Sequence, residues 1–284
     1  MKIASLQGRS TLVSGTGLID IESASGGEFP VQTDALIPAL DELQAWLEAD
    51  KPAATDPRIA ADFLAEPSLL DAPLTRPRQV FALGLNYRSH ANEVAMDLPK
   101  SPMIFTKFVS SLAGPGANIR LPGKSVDWEV ELVAVIGQGG RDIPEHESLS
   151  RICAYCVGQD VTERNCQFEN SPAQFGMAKS FANFSPIGPW LTTADELGDP
   201  QDLAIACHLD GETVQEARTS MMLFDLKTQV AYLSSICELY PGDIIFTGTP
   251  AGIGFSRNPQ RFIQPGETLT SHIEQLGTLR NTFT

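Results

Sequence analysis

Three carboxylates stand at alternate positions in VDWEVELVAVIG, Val126 to Gly137: Asp127, Glu129 and Glu131. Side chains alternate between the two faces of a β-strand. Val126, Trp128, Val130, Leu132, Ala134 and Ile136 then share one face, and the three acids share the other with Val133 and Val135. Same-face neighbours lie roughly 6.5–7 Å apart, which suits two ligands on opposite sides of an oxygen-seeking cation. Without a cation such acids repel one another. A solvated edge face would carry the same pattern. Asp160 closes the apolar run ICAYCVGQDV, 29 residues after Glu131. An acid ending a buried strand needs a partner, and a metal shared with Glu129 and Glu131 accounts for all three. All-oxygen ligation points to Mg²⁺ or Mn²⁺. Ca²⁺ suits a catalytic role less well, and Zn²⁺ is disfavoured by the lack of His or Cys ligands.

Groups able to move protons and hold an anion lie on either side. In GLNYRSHANEV, His90 and Glu93 are three residues apart, so on a helical turn they share a face and can hydrogen-bond. A carboxylate-oriented imidazole is a competent general base near neutral pH, although a polar surface loop presents the same two residues. Arg164 and Gln167 follow Asp160 closely, and Lys179 stands in AKSF. They supply the cations and donors that an anionic substrate requires. Tyr87 is expected to join Arg164 and Gln167 in binding substrate. The run TGTPAGIG, Thr247 to Gly254, lacks the Gly-Lys-Ser/Thr ending of a phosphate loop and reads as a tight turn after DIIF. Cys153 and Cys156 form a C-x-x-C, but odd spacing on a strand sends them to opposite faces, so they read as core thiols. His146, His208 and His272 have no ligand spacing and read as structural.

The elements that must position these groups are mainly strands. VFALGLNY, PMIFTKFV, DWEVELVAVIG, ICAYCVGQDVT, LAIACHLDGETV, DIIFTGTP and ETLTSHIEQLG are strand candidates punctuated by Gly and Pro. Helices are predicted over 226–239 and briefly around His90. The fold class is therefore α+β, mainly β. Residues 1–22 read as short strands broken by glycine. Residues 34–50 read as an amphipathic helix carrying Leu36, Leu40, Leu43, Trp46 and Leu47. The proline-bearing connector Asp71 to Gln79 sets a boundary near residue 74, with a small N-terminal module over 1–73 and a catalytic domain over 74–284.

A formal net charge of -15 repels nucleic acid and anionic membranes, so neither is an expected partner. An anionic substrate can still bind where a metal and local cations reverse the sign. No signal peptide or membrane-length apolar run is evident, and the five cysteines are an odd number, so a cytoplasmic chain with free thiols is expected.

DWEVEL, Asp160, AKSF (178–181) and PGDIIFTGTPAGIG (241–254) together resemble the fumarylacetoacetate hydrolase family, over about residues 84–279. Family members commonly carry Asp at position 165 and Gly at 178, where this chain has Asn165 and Ala178. The resemblance implies a mixed β-sandwich roll, usually dimeric, with Glu129, Glu131 and Asp160 as metal ligands and Asp127 outside the set. It implies that His90 and Glu93 activate water, on a segment that often closes as a lid. It assigns Lys179 to the substrate carbonyl or carboxylate, Arg164 and Gln167 to positioning, and Thr249 with its neighbouring backbone to the substrate. The expected reaction is C–C hydrolysis of a 2,4-dioxo acid (an acylpyruvate) to a pyruvate and a carboxylic acid. Decarboxylation of an oxaloacetate-like acid and keto–enol isomerisation are alternatives on the same site. A metal-binding protein without turnover is a further alternative, disfavoured because every expected polar group is present.

Overall fold

The computed structural model describes residues 1–58, 60–94 and 96–284. Among them the chain forms a ten-stranded mixed sheet, a five-stranded sheet and a two-stranded ribbon. The strand Val130–Ile136 lies inside the large sheet, antiparallel to both Ile152–Gln159 and Ile244–Phe246, and all seven of its residues are buried. It is not a solvated edge.

Alternation along this strand divides the interior in two. Val126, Trp128, Val130, Leu132, Ala134 and Ile136 pack with Ile205, Leu269 and Leu279, which come from the five-stranded sheet. Val133 and Val135 face the other way, into a core shared with Ile3, Leu36, Leu43 and Phe246. The mainly β, α+β architecture is thus a sandwich of two sheets, with short helices packed on the outer face of the larger one.

The first 73 residues join this scaffold through the sheet itself. Lys2–Leu6 pairs antiparallel with Ser185–Thr193, and Arg9–Ser14 and Gly17–Asp20 extend the same sheet outward. The helix expected over 34–50 is interrupted. Thr33–Leu36 is followed by a 3₁₀ turn, Ile37–Ala39, and only then by the helix Leu40–Asp50. Pro38 explains the break, since it has no N–H to donate and its ring clashes with the carbonyl four residues back. Leu36, Leu40 and Leu43 are nevertheless buried, with Trp46 and Leu47 packed at the margin of the same core.

Two further features differ from the sequence-based expectation. Ser185–Thr193, which is not among the strand candidates, is a fully buried strand at the centre of the sheet despite Pro186 and Pro189, although proline cannot donate to a ladder. The register slips opposite Gly188, between Tyr155 and Val157, which accommodates the missing donor. A second slip, between Ile152 and Ala154, makes Cys153 an extra residue. It turns Cys153 toward the core that also holds Cys156, so the two do not take opposite faces. Both remain core thiols, and burial pushes each up to about 12. No helix among the described residues is long and apolar enough to cross a membrane.

Because Ile3 is fully buried in a core that also contains Val133 and Phe246, Ile3→Ala should lower stability by about 2–5 kcal/mol. Urea unfolding followed by near-UV circular dichroism should show a single transition. Separate transitions for the N-terminal strands and the remainder would contradict a shared core.

Candidate active site

The spacing of 29 residues between Glu131 and Asp160 has a simple structural origin. Antiparallel pairing sets Gly158 opposite Glu131 and Gln159 opposite Val130. One step further, the Asp160 N–H donates to the Glu129 carbonyl at 2.9 Å. Glu129, Glu131 and Asp160 are all buried, and each offers a carboxylate oxygen within 4.8 Å of the others. Asp127 is buried too but turns to Arg164, whose Nε donates to it at 2.8 Å, and to the backbone N–H groups of Gly254 and Phe255.

Three cations surround the carboxylates. Lys179 Nζ donates to Glu129 at 2.8 Å, Asp160 at 2.6 Å and Thr162 at 2.8 Å. Arg164 bridges Asp127 and Glu129 and donates to Gln167 at 2.9 Å. Lys107, which sequence reasoning missed, ion-pairs with Asp160 from the opposite side and donates to the Phe184 carbonyl at 3.1 Å. The only sequence signal for it was a lysine inside the apolar strand candidate PMIFTKFV, a pattern equally consistent with a side chain reaching solvent.

The carboxylates respond differently to this environment. Burial pushes Glu129 up, but the charges of Lys179 and then Arg164 outweigh it and hold the group at about 2. Burial also raises Glu131, and the negative charges of Asp160 and Glu129 drive it further, well above the usual carboxylate range. Its Oε2 accepts one bond, from the Gly248 N–H at 2.7 Å, while its Oε1 is buried with no partner among the described residues. Gly248 sits at φ +100°, and a Cβ there would lie 2.6 Å from the Asn86 Cβ, so a side chain would disturb this donor. An orphaned buried oxygen facing two other carboxylates is the setting in which a hard divalent cation fits. The donor set is all oxygen, as Mg²⁺ and Mn²⁺ prefer.

The His90–Glu93 pair expected from the spacing is formed. His90 lies on the short helix Arg88–Glu93, with Nδ1 3.3 Å from Glu93 Oε2. Glu93 is itself anchored by the Gly252 N–H at 2.9 Å and by the Ser256 hydroxyl. Burial opposes its ionisation, but the bonds from His90, Ser256 and Gly252 prevail and lower it. Lys179 is likewise pushed down by burial, yet Asp160 and Glu129 reverse the sign and keep it protonated.

A cavity of about 400 Å³ opens beside these groups. His90, Glu129, Arg164, Gln167, Lys179 and Thr249 line it. The Thr249 hydroxyl donates to the Val130 carbonyl at 3.0 Å and accepts from Gln215 at 2.8 Å, so as it stands it braces the loop against the ligand strand. Tyr87 is fully buried outside the lining, its hydroxyl without a partner among the described residues. Asn86 and Gln215 are further buried amides that sequence reasoning passed over. They bond the backbone of the Thr247–Pro250 turn, and a polar residue in a candidate strand or loop gives no sign of that role. His146 is exposed, while among the described residues the His208 and His272 rings contact the nearby Thr213 and Thr278, and none of the three lines the cavity.

Comparison with known proteins agrees with this geometry. Residues 79–284 match the model described as fumarylacetoacetate (FAA) hydrolase C-terminal. A mitochondrial oxaloacetate tautomerase of Bos taurus is 37% identical over 275 residues, covering 94% of this chain and 84% of its own. The crystal structure of a candidate HpcE protein from Mycobacterium smegmatis superposes with a TM-score of 0.91 at 45% identity, covering 100% of this chain and 99% of that one. Maleylpyruvate hydrolase from Sphingobium sp. SYK-6, in complex with manganese(II) and pyruvate, gives a TM-score of 0.81 at 27% identity, with coverage of 100% and 99%.

Binding of Mn²⁺ should stabilise the chain, because a ligand held only by the folded state raises its stability in proportion to the logarithm of its concentration. Thermal melts with and without excess Mn²⁺ should show an upward shift that Glu131→Ala removes. An undiminished shift in the variant would place the cation elsewhere.

Proposed function

The chain belongs to the fumarylacetoacetate hydrolase family, and from that premise we propose that it is a divalent-cation-dependent enzyme that converts a small 2-oxo acid through its enolate. The family relatives support the reaction class, and the arrangement of groups around the cavity supports the roles. Glu129, Glu131 and Asp160 would hold Mg²⁺ or Mn²⁺, which supplies a Lewis acid for the carboxylate and 2-oxo oxygens of the substrate. Charge balance fits this assignment. At formal charges Asp127, Glu129, Glu131 and Asp160 face Lys107, Arg164 and Lys179, four negative against three positive, and a divalent cation that lets Glu131 ionise turns this formal net of -1 into +1. A protein of net charge -15 thereby attracts an anion locally.

The net reaction we infer is hydrolysis of an acylpyruvate. The observation that carries it is His90, on the cavity wall and held by a Glu93 that is itself tethered twice. His90 takes a proton from water, whose oxygen bonds to the 4-carbonyl carbon. The C3–C4 bond then breaks, its electron pair passing to the pyruvyl fragment as an enolate. Lys179 exchanges one of its three bonds, to Glu129, Asp160 or Thr162, for the enolate oxygen as charge develops, and the proton taken by His90 passes to C3 to give pyruvate beside the released carboxylic acid. Arg164 and Gln167 position the substrate carboxylate. The Bos taurus relative favours a second reading, in which His90 moves a proton between C3 and the 2-oxo oxygen of an oxaloacetate-like acid and no C–C bond breaks. A homodimer is the assembly that accompanies either reading, testable by sedimentation velocity.

Two variants test these roles. With His90→Ala, Mn²⁺-supported hydrolysis of an acylpyruvate, followed by pyruvate release, should fall by about a hundredfold or more, while Mn²⁺ affinity holds. A wild-type enzyme that equilibrates enol and keto oxaloacetate but cleaves no acylpyruvate would replace hydrolysis by tautomerisation. Lys179→Met should weaken substrate binding and slow the chemical step together. The Lys179 ammonium, bonded to Glu129, Asp160 and Thr162, is a poor nucleophile. Borohydride added during turnover should therefore trap no adduct by intact mass, and an adduct at Lys179 would establish an imine route instead.

A further inference from the structure

The cavity is chemically divided, and the division bears on the substrate. One end carries Glu129, Arg164, Gln167 and Lys179. Much of the remaining wall is apolar, including Val94, Met96, Met103, Phe168, Ile253 and Phe255. Phe168 stacks on Phe255 with ring centroids 5.0 Å apart, and Phe105 stacks on Phe175 at 5.5 Å, so aromatic faces flank the cavity in two pairs. Arg164 lies against Phe255 and Lys179 against Phe105, which places each aromatic pair next to a cation of the polar end.

Among the described residues, the lysine and arginine lining the cavity are Arg164 and Lys179. Both are buried and already engaged, Arg164 by Asp127 and Glu129, Lys179 by Glu129 and Asp160. They are next to the carboxylate cluster and are accounted for by the head of a 2-oxo acid. Among the described residues the apolar wall offers no lysine or arginine to a second carboxylate, and the imidazole on the wall, His90, is held by Glu93. A charge placed there would lose water without gaining a partner. Volume points the same way, since about 400 Å³ falls in the range of about 300–1,000 Å³ typical of sites for drug-sized ligands. A four-carbon diacid would leave most of that space as water against hydrocarbon.

Building on the head-group assignment above, we propose that the substrate is a monoanionic 2-oxo acid with an uncharged apolar tail, aliphatic or aromatic, seated against Met96, Met103, Phe168 and Phe255. The terminal dicarboxylates are the class it discriminates against. Met96 and Phe168 are half-exposed at the cavity wall, where a tail removes them from water. Each methylene that becomes buried should strengthen binding about fourfold.

Oxamate, which presents a carboxylate beside a carbonyl, serves as probe of the head-group site, and its N-alkyl derivatives report on the tail. Isothermal titration of the Mn²⁺-loaded protein with oxamate, N-propyl, N-hexyl and N-benzyl oxamate, and N-(5-carboxypentyl) oxamate separates the two claims. Affinity should rise about sixtyfold from propyl to hexyl if all three added methylenes are buried, and the terminal carboxylate should cancel at least tenfold of that gain. Phe168→Ala should shrink the gain from propyl to hexyl, and Phe168→Lys should reverse the order of the hexyl and carboxypentyl compounds. Oxamate that binds while its affinity is indifferent to chain length, or is improved by the terminal carboxylate, overturns the apolar tail and leaves the head-group reading standing. Failure of oxamate itself to bind overturns both.

Discussion

Three carboxylates buried within one small volume are the constraint around which the rest of this structure is arranged. Each has lost most of its hydration, and each repels the others through a medium that screens poorly. Glu129 and Asp160 are tolerated because Lys179 bridges them, with Arg164 on one flank and Lys107 on the other. Among the described residues Glu131 has only the Gly248 N–H, and its raised proton affinity expresses its burial and then the negative charges of Asp160 and Glu129. The same imbalance that makes Glu131 costly to ionise makes the cluster receptive to a divalent cation.

Such a cluster can persist only on rigid backbone, and the fold supplies it. Glu129 and Glu131 lie on a chain segment whose alternate residues plug two separate apolar cores, one against the five-stranded sheet and one beneath the N-terminal elements. Rotating or sliding this segment would expose one core or the other, so packing far from the carboxylates holds them in register. Gln215 adds a local brace, accepting from Val130 N–H at 3.0 Å while donating to Thr249 and to the Pro250 carbonyl. The loop that carries Gly248 also carries Gly252, which donates to Glu93. The segment bearing Glu129 and Glu131, the His90–Glu93 pair and the turn are thereby one hydrogen-bonded unit.

Relatives on this scaffold bear names of different net reactions, a tautomerase and a C–C hydrolase among them. Enolate formation at a 2-oxo acid is the chemistry those two reactions have in common, and the carboxylate-and-cation end of the cavity suits it. Under the proposed roles, one outcome differs from another in where His90 finds its proton and in what fills the apolar end, both of which depend on loops around the cavity more than on the sheet.

Local sequence determined a good deal here. Period-two alternation identified the strand and sorted its residues correctly into the two cores, because a strand offers just two faces. The paired acids, the His90–Glu93 spacing and the conjunction of DWEVEL with Asp160, AKSF and GTPAGIG pointed to groups that the fold does bring close together. Tertiary structure decided the remainder. Which acid joins the cluster depends on Arg164 claiming Asp127 across 37 residues, and Lys107 reaches Asp160 across 53. Burial of Ser185–Thr193 overrode its prolines, a bulge re-aimed Cys153, and Pro38 broke a helix whose apolar spacing still served the core. Those outcomes turn on contacts between distant segments, and the energy of such a contact is written in no single stretch of the chain.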